Sequence, residues 1–411
     1  MGDVNRSVLR VALRGWIARA DRPQRGEYRP AVMGWPDQVL VLDMETTTDP
    51  TQRLTFGSWR IGNFGEHGIF ECLEEGLIYA DDLPTRMPEG WATLQAYVKN
   101  HRPATTNLRR SELLLLSRRE FVTDRLWKAL DGGALIVGYN LAFDLTRLAI
   151  GVGASRHPMF TGGFSIPLFE FEADGRWEEN KHRPRIRMKT LDSKRTLLGV
   201  SRRVGARPGE KQQSLEGLGR FLDLKHLTFA LTDKHLSLAK AAVGFGLEVG
   251  KLDADEHGAI TEGYIDYNRR DVEVSALLLE AVRAEWSRHP LALSPDKVMS
   301  PAALGKGYLR AMGVVPPGRK FTEVGDRILG ACMTAYFGGR TEVRIRRHVV
   351  PVTYLDFLSM YPTVNALIGL WRMLTAERLK VQPATEEVRA LLSSVSLERC
   401  FEKTFWGDLR F

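Results

Sequence analysis

One stretch constrains the fold more than any other: an apolar run that ends in two carboxylates one residue apart. The aliphatic residues Val39–Leu42 are followed by Asp43, Met44 and Glu45, and three threonines come next. Consecutive aliphatic and β-branched residues predict a buried strand. Because alternate residues of a strand point to the same side, Asp43 and Glu45 share one face. Two neighbouring carboxylates repel each other unless a cation lies between them, and Mg²⁺ prefers such oxygen ligands.

Composition narrows the class of protein. The chain has 411 residues, of which 44% are hydrophobic and 26% are charged, as in ordinary globular proteins. Three distant cysteines indicate neither a disulfide framework nor a zinc site. No apolar run approaches the roughly 20 residues needed to span a bilayer, so no membrane partner is expected. The net charge of +8 favours a polyanionic partner. Residues 1–35 are basic, and their apolar residues recur at helical spacing. Three interpretations of this segment stay open: a docked amphipathic helix, a strand-binding arm and a transit peptide.

Two later motifs add carboxylates. Gly138 and Asn140 follow a short apolar strand, and Asn140 is a candidate helix cap with Asp144 in the first turn. Within a long helix predicted over 260–288, Tyr267 and Asp271 are separated by four residues, and such positions share one helix face. A phenol and a carboxylate placed this way can reach the same small volume.

The order of predicted elements indicates a mixed α/β fold. Strands over 53–64 and 68–80 follow the acidic strand closely and predict an antiparallel meander. Helices at 91–100 and 120–130 then alternate with a strand at 134–137. Residues 160–200 predict a hairpin of strands 164–171 and 184–191 around Gly175, and residues 212–224 predict an amphipathic helix. A meander followed by helix–strand alternation is the order found in mixed sheets of the ribonuclease-H type.

Together these motifs resemble the 3′–5′ exonuclease of the DEDD class, in the proofreading form of family B DNA polymerases. The tyrosine at 267, with Asp266 where the other subclass has histidine, matches the tyrosine variant. The resemblance implies two Mg²⁺ or Mn²⁺ ions held by four carboxylates and a water oriented by Tyr267, with Glu45 assisting. It implies that Asn140 and Phe143 touch the 3′-terminal nucleotide. The metal ligands it implies are Asp43, Glu45, Asp144 and Asp271.

The last quarter of the chain resembles the polymerase part of the same family. Tyr336, Gly338, Gly339 and Arg340 match a motif that lies between the exonuclease and polymerase domains and contacts DNA. An apolar strand predicted to end at Asp356, with Ser359 and Tyr361 after it, matches the first polymerase motif, which binds metal and nucleotide. The two later polymerase motifs do not occur between Pro362 and Phe411. The chain therefore resembles the front part of a polymerase, ending in the palm.

These observations predict four regions: a basic segment at 1–35, a ribonuclease-H-like exonuclease domain at 36–285, a helical connection at 286–330 and an incomplete palm at 331–411. The expected partner is single-stranded or primer–template DNA, with nucleoside triphosphate bound only if the missing polymerase part is supplied. The expected location is the cytoplasm, with bacterial, plasmid or viral DNA, and an organelle stays open. A stand-alone exonuclease or exoribonuclease of the ribonuclease D type and a non-catalytic fragment of a split polymerase are the alternatives.

Overall fold

The computed structural model describes residues 34–65, 67–105, 112–201, 219–248, 258–321, 324–328, 330, 343–367, 369–402 and 404–405. The chain divides into two compact units, one covering the described residues from 34 to 308 and the other those from 309 onward. This division falls inside the connection predicted at 286–330, whose status as a separate region stays a prediction. Each unit is described by itself.

In the described part of the first unit, twelve strands form the sheets. Six of them make one mixed sheet in the order β12-β5-β1-β2-β3-β4, which confirms a mixed α/β fold. The strands are β1 Gln38–Thr46, β2 Leu54–Phe64, β3 Phe70–Tyr79, β4 Leu114–Ser117, β5 Leu135–Gly138, β6 Gly153–Ala154, β7 Phe164–Ile166, β8 Glu170–Ala173, β9 Arg176–Glu179, β10 Ile186–Thr190, β11 Thr196–Val200 and β12 Arg220–Asp223.

Strand β1 lies in the interior of the six-stranded sheet, antiparallel to β2 and parallel to β5. The β1–β2–β3 meander predicted from the sequence is confirmed. Both faces of β1 are covered by apolar side chains, which explains the unbroken aliphatic run. Leu40, Leu42 and Met44 pack into one hydrophobic cluster, whereas Val39 and Val41 pack into the other. Met44 therefore points into the core, as predicted.

Among the described residues, nine α-helices begin in the first unit, and several of them contact strands of the six-stranded sheet. The longest, α8, lies against β1 and β2 and begins at an N-cap threonine, Thr261, whose side chain accepts a hydrogen bond from the backbone of Tyr264. Among the described residues, no helix is both long enough and apolar enough to cross a membrane. The helices are α1 Leu83–Arg86, α2 Pro88–Asn100, α3 Arg118–Phe121, α4 Trp127–Asp131, α5 Leu141–Arg147, α6 Leu224–Thr232, α7 Leu238–Gly244, α8 Glu262–Ser287 and α9 Pro301–Ala311.

Two local predictions in this unit were wrong. The strand predicted at 164–171 is two strands: β7 pairs with β10 in a second sheet, and β8 forms a separate hairpin with β9 around Gly175. The helix predicted at 212–224 has its first part outside the described residues, and its end is the strand β12. This strand pairs in parallel with β5, and Gly219 before it lies so close that a Cβ atom would be 2.5 Å from the Ala134 carbonyl oxygen. The apolar residues of this short segment have helical spacing, so the sequence pattern did not predict that β12 pairs with β5.

The second unit contains short helices in its described part. They are α10 Pro317–Lys320, α11 Met360–Leu367, α12 Trp371–Thr375 and α13 Thr385–Ser393. The strand predicted to end at Asp356 was wrong, because residues 343–358 contain no strand and their apolar side chains are exposed. A strand requires a partner for its backbone hydrogen bonds, and no described strand pairs with this segment.

Candidate active site

Three parallel strands end at the same edge of the six-stranded sheet. Strands β1, β5 and β12 run in the same direction, so their carboxyl ends lie side by side. In open α/β sheets, ligands bind at the carboxyl ends of the strands. At this edge β1 carries Asp43 and Glu45, the turn after β5 leads to Asn140 and Asp144, and β12 ends at Asp223. The edge therefore collects acidic side chains from three separate elements.

The end of β1 is shaped by a bulge and by a close approach. Its register against β2 shifts between Met44 and Thr46, so Glu45 lies at an irregularity. Bulges of this kind redirect a side chain and are frequent beside active sites. Opposite the bulge, Gly57 leaves no room for a side chain, since a Cβ atom would lie 2.6 Å from the Asp43 carbonyl oxygen. Gly57 thus allows β2 to support the acidic end of β1 closely.

Asp144 is buried in the first turn of α5, with only 2% of its surface exposed. Its Oδ1 accepts a hydrogen bond of 3.1 Å from the Met44 backbone N–H, which ties the helix to the end of β1. Its Oδ2 is buried and has no hydrogen-bond partner among the described residues. Burial, followed by the negative charges of Asp223 and Glu45, raises the pKa of Asp144 well above its ordinary value. A nearby cation would relieve all of these costs.

Asn140 occupies the predicted N-cap position of α5, but its side chain does not cap the helix. It has a left-handed backbone with φ of 78°, and its side chain makes no capping hydrogen bond. Instead, its backbone N–H donates a 3.0 Å hydrogen bond to Oδ1 of Asp223. Phe143, one turn into the helix, lies 4.6 Å beneath the Arg147 guanidinium. Burial raises the pKa of Asp223, and the charge of His226 opposes this effect.

The face of α8 that meets β1 supplies two contacts to the acidic pair. The Tyr264 hydroxyl donates a hydrogen bond to Glu45. The Asn268 side-chain amide donates to Oδ2 of Asp43 at 2.7 Å and to Oε1 of Glu45 at 3.4 Å. Burial and then the charge of Glu45 raise the pKa of Tyr264, so its phenol stays protonated and acts as a donor.

Tyr267 and Asp271 lie on this same stripe of α8 at helical spacing, and both are buried. The rings of Tyr264 and Tyr267 are 5.9 Å apart. The sequence pointed to this stripe of the helix through Tyr267 and Asp271, whose roles stay predictions, but it missed Tyr264 and Asn268. Their spacing from Tyr267 and Asp271 was the available signal. Asp223 was missed because its segment was predicted to be helical.

The oxygen donors at this edge meet part of what a divalent cation requires. Carboxylate oxygens from separate elements, together with the buried and unsatisfied Oδ2 of Asp144, suit a hard cation. In this arrangement, however, no three acidic, histidine or cysteine side chains among the described residues come close enough together to form one metal site. The Asn268 amide instead bridges Asp43 and Glu45. The chemistry of the donors fits Mg²⁺ or Mn²⁺, and binding requires these side chains to turn away from their present partners.

The residues predicted for the polymerase part are not brought together in the described structure. Asp356 and Tyr361 are exposed, and Ser359 has a left-handed backbone with φ of 55°. The predicted DNA-contacting residues Tyr336, Gly338, Gly339 and Arg340 lie outside the described residues. Their roles stay predictions.

No protein-family model matches the chain, and a search of curated proteins finds no significant match. The molecule is therefore defined by its geometry as a mixed α/β protein with an acidic strand-end site.

Proposed function

We propose that residues 36–285, within the first unit, form a metal-dependent 3′–5′ exonuclease of the family B proofreading type, built on a ribonuclease-H-like sheet. One observation carries this proposal: carboxylates from β1, α5 and β12 line one sheet edge, and a buried oxygen of Asp144 there has no hydrogen-bond partner among the described residues. Burying several carboxylates together costs stability unless a cation neutralises them. Such a cost is expected where the acids serve a function.

Four acids would hold two Mg²⁺ or Mn²⁺ ions: Asp43, Glu45, Asp144 and Asp271. When bound, such a metal pair stabilises the attacking and leaving oxygens of an in-line displacement at phosphorus. Glu45 would accept a proton from the attacking water at its carboxylate. A tyrosine hydroxyl would orient that water, and the hydrogen bond between Tyr264 and Glu45 supports Tyr264 as well as Tyr267 for this role.

Other parts of the site would act on the substrate rather than on the metal. Asn140 and Phe143 would contact the 3′-terminal nucleotide from the turn after β5. Residues 331–411 would be the beginning of a polymerase palm, with Asp356, Ser359 and Tyr361 serving a nucleoside triphosphate only when the remaining polymerase motifs are supplied. The substrate would be single-stranded or frayed primer–template DNA in the cytoplasm, and hydrolysis would serve proofreading.

The test uses single-stranded DNA carrying its label at the 5′ end, so that shortening from the 3′ end is visible as a ladder. With Mg²⁺ or Mn²⁺ the full chain should shorten the strand. The variant with Asp43→Ala and Glu45→Ala should not, whereas a matched variant of exposed acids, Glu89→Ala with Asp124→Ala, should retain full activity. Absence of shortening, or equal shortening by the first variant, would contradict the proposal. Primer extension by the 411-residue chain is not expected.

A non-catalytic DNA-binding role is the second candidate, and one observation favours it. The Asn268 amide already occupies the position between Asp43 and Glu45, and the described residues contain no three-carboxylate cluster. If the chain binds the oligonucleotide but never shortens it at millimolar Mg²⁺ or Mn²⁺, this role replaces the exonuclease. Faster shortening of an RNA strand of equal sequence would instead indicate an exoribonuclease.

A further inference from the structure

The first unit contains a cavity of about 510 Å³ that the candidate active site does not use. One wall is the turn between β10 and β11, at Asp192–Arg195. A second wall is the end of α6 and the loop after it, and the third is the start of α9. Pockets that bind small ligands have volumes of about 300–1,000 Å³. The cavity is therefore large enough for one nucleotide.

A pair of stacked rings forms the second wall. The imidazole of His235 lies parallel to the Phe229 ring, with centroids 4.1 Å apart and an angle of 11° between the planes. His235 is exposed, and desolvation followed by the charge of Lys194 lowers its pKa, so the ring is neutral near pH 7. Stacking of bases on aromatic side chains depends little on base identity. The outer ring can therefore extend its stack with a nucleobase.

Charge on the first wall is arranged to leave one cation available. Asp192 accepts hydrogen bonds from the backbone N–H groups of Lys194 at 3.0 Å and Arg195 at 2.9 Å, and from Nε of Arg195 at 2.7 Å. Among the described residues, the exposed Lys194 ammonium forms no ion pair. Across the cavity lie Ser300 and the N-terminal end of α9, whose helix dipole favours an anion; Pro301 there has no N–H, and the Ala303 N–H donates to the Ser300 carbonyl oxygen at 2.9 Å.

The first and second walls of the cavity are both connected by hydrogen bonds to the carboxyl edge of the six-stranded sheet. Nε2 of His226 lies 3.1 Å from the Lys194 carbonyl oxygen and 3.7 Å from Oδ2 of Asp223 at the end of β12. The Tyr139 hydroxyl, just after β5, donates a 2.7 Å hydrogen bond to the Leu236 carbonyl oxygen in the loop beside His235. The cavity is thus braced by the same strand ends that present the acidic residues.

We propose that this cavity binds one nucleotide unit, with the base stacked on His235 and the phosphate held by Lys194 and the start of α9. The unit is either a free nucleoside monophosphate or one nucleotide of a single strand. Binding there requires no hydrolysis and no metal. Asp233 is an exposed carboxylate on the second wall, beside His235. Its negative charge repels the phosphate and so limits the affinity for the nucleotide.

The test measures binding by the full chain in EDTA, so that the active-site acids hold no metal. The probes are 2-aminopurine deoxyribonucleoside monophosphate, whose fluorescence falls on stacking, and a fluorescein-labelled strand of twelve thymidines followed by anisotropy. Lys194→Ala and His235→Ala should each raise the dissociation constant fivefold or more, as expected for losing a phosphate contact or a stacked base. Asp233→Asn should lower it. Lys240→Ala, which removes an exposed lysine outside the cavity, should leave it unchanged.

The outcomes separate the sources of the ligand and can refute the site. Changes with both probes indicate that either source binds; changes with the strand alone indicate a nucleotide within a chain. Equal effects of Lys194→Ala and Lys240→Ala would show general attraction to the basic protein and overturn the proposal. So would unchanged binding in His235→Ala, or competition by inorganic phosphate as strong as competition by the nucleotide. Loss of exonuclease activity alone would leave this binding intact, so the two proposals fail separately.

Discussion

Two segments of the chain carry the same sequence pattern but have different structures. Residues Val39–Leu42 run into Asp43, and residues Val352–Leu355 run into Asp356. In the first segment the apolar residues are fully buried within a six-stranded sheet. In the second they are exposed and form no strand. An apolar run that ends in an aspartate therefore does not define a strand-end site by itself.

The difference lies in what surrounds each segment. Strand β1 has a hydrogen-bonded neighbour on each side and a hydrophobic cluster on each face. These neighbours satisfy its backbone and orient Asp43 and Glu45 toward α8. Around Asp356 the described structure offers no such partner strand, so the carboxylate lies on an exposed segment. A carboxylate becomes a candidate metal ligand only when its neighbours hold it beside others.

The largest expected effect tests the two aspartates directly. Asp43→Asn should reduce exonuclease activity about a thousandfold, because metal ions supply several kcal/mol of transition-state stabilisation and this residue would hold them. Asp356→Asn should leave the rate unchanged. The measurement is the initial rate of strand shortening at saturating Mg²⁺, with circular dichroism to confirm folding. Equal losses in the two variants would show that the comparison between the segments is incorrect.

Stability distinguishes the two segments next. Leu42 has no exposed surface, whereas Leu358 is 93% exposed. Leu42→Ala should reduce the free energy of unfolding by about 2–5 kcal/mol, through lost burial and the cavity it leaves. Leu358→Ala should change it by less than about 0.5 kcal/mol, as is usual for surface positions. Urea unfolding followed by far-ultraviolet circular dichroism gives both values. A large loss for Leu358→Ala would indicate that this residue is buried in solution.

Sequence reasoning reached the fold of the acidic edge because its signals are local. Three elements of this edge are predicted by patterns that span only neighbouring residues. They are the aliphatic run of β1, the turn at Gly138 and the long amphipathic α8, and the structure contains all three. Asp43 and Glu45 followed from strand periodicity, and Asp144 followed from its position in a first helical turn.

The remainder of the site depends on contacts between distant residues. Asp223 reaches the edge only because β12 pairs with β5, a parallel pairing that local spacing does not encode. Asn268 contacts Asp43 only because α8 packs on β1 with this face of the helix turned toward the strand. Helical spacing places Tyr264 and Asn268 on the stripe of Tyr267 and Asp271, but their contacts to Glu45 and Asp43 depend on how the helix packs on the sheet.

The two tyrosines provide a matched pair for the next prediction. Tyr264→Phe removes the hydroxyl that donates to Glu45, and Tyr267→Phe removes the one that the family resemblance assigns to the water. If Tyr264 orients Glu45, its variant should slow exonuclease turnover by about tenfold to a hundredfold at saturating substrate. The Tyr267 variant should show a similar loss if both act on one water. A defect in Tyr267→Phe alone would leave Tyr264 with a packing role, and the double variant shows whether their effects are coupled.

The smallest expected effect compares cysteines in the two units. Burial is the main cause that raises the pKa of the Cys72 thiol to about 12, and the negative charge of Glu75 adds to it. Cys400, in contrast, is only half-buried. Since the thiolate is the reactive form, Cys72 should react with iodoacetamide at pH 8.5 more than about tenfold more slowly than Cys400. Its rate should still rise with each pH unit up to pH 10, where an ordinary thiol levels off. Peptide mass mapping over time gives each rate separately. Similar rates in the native chain, instead of only in urea, would mean that the β3 strand opens readily and that the sheet holding Asp43 is less rigid than its burial indicates.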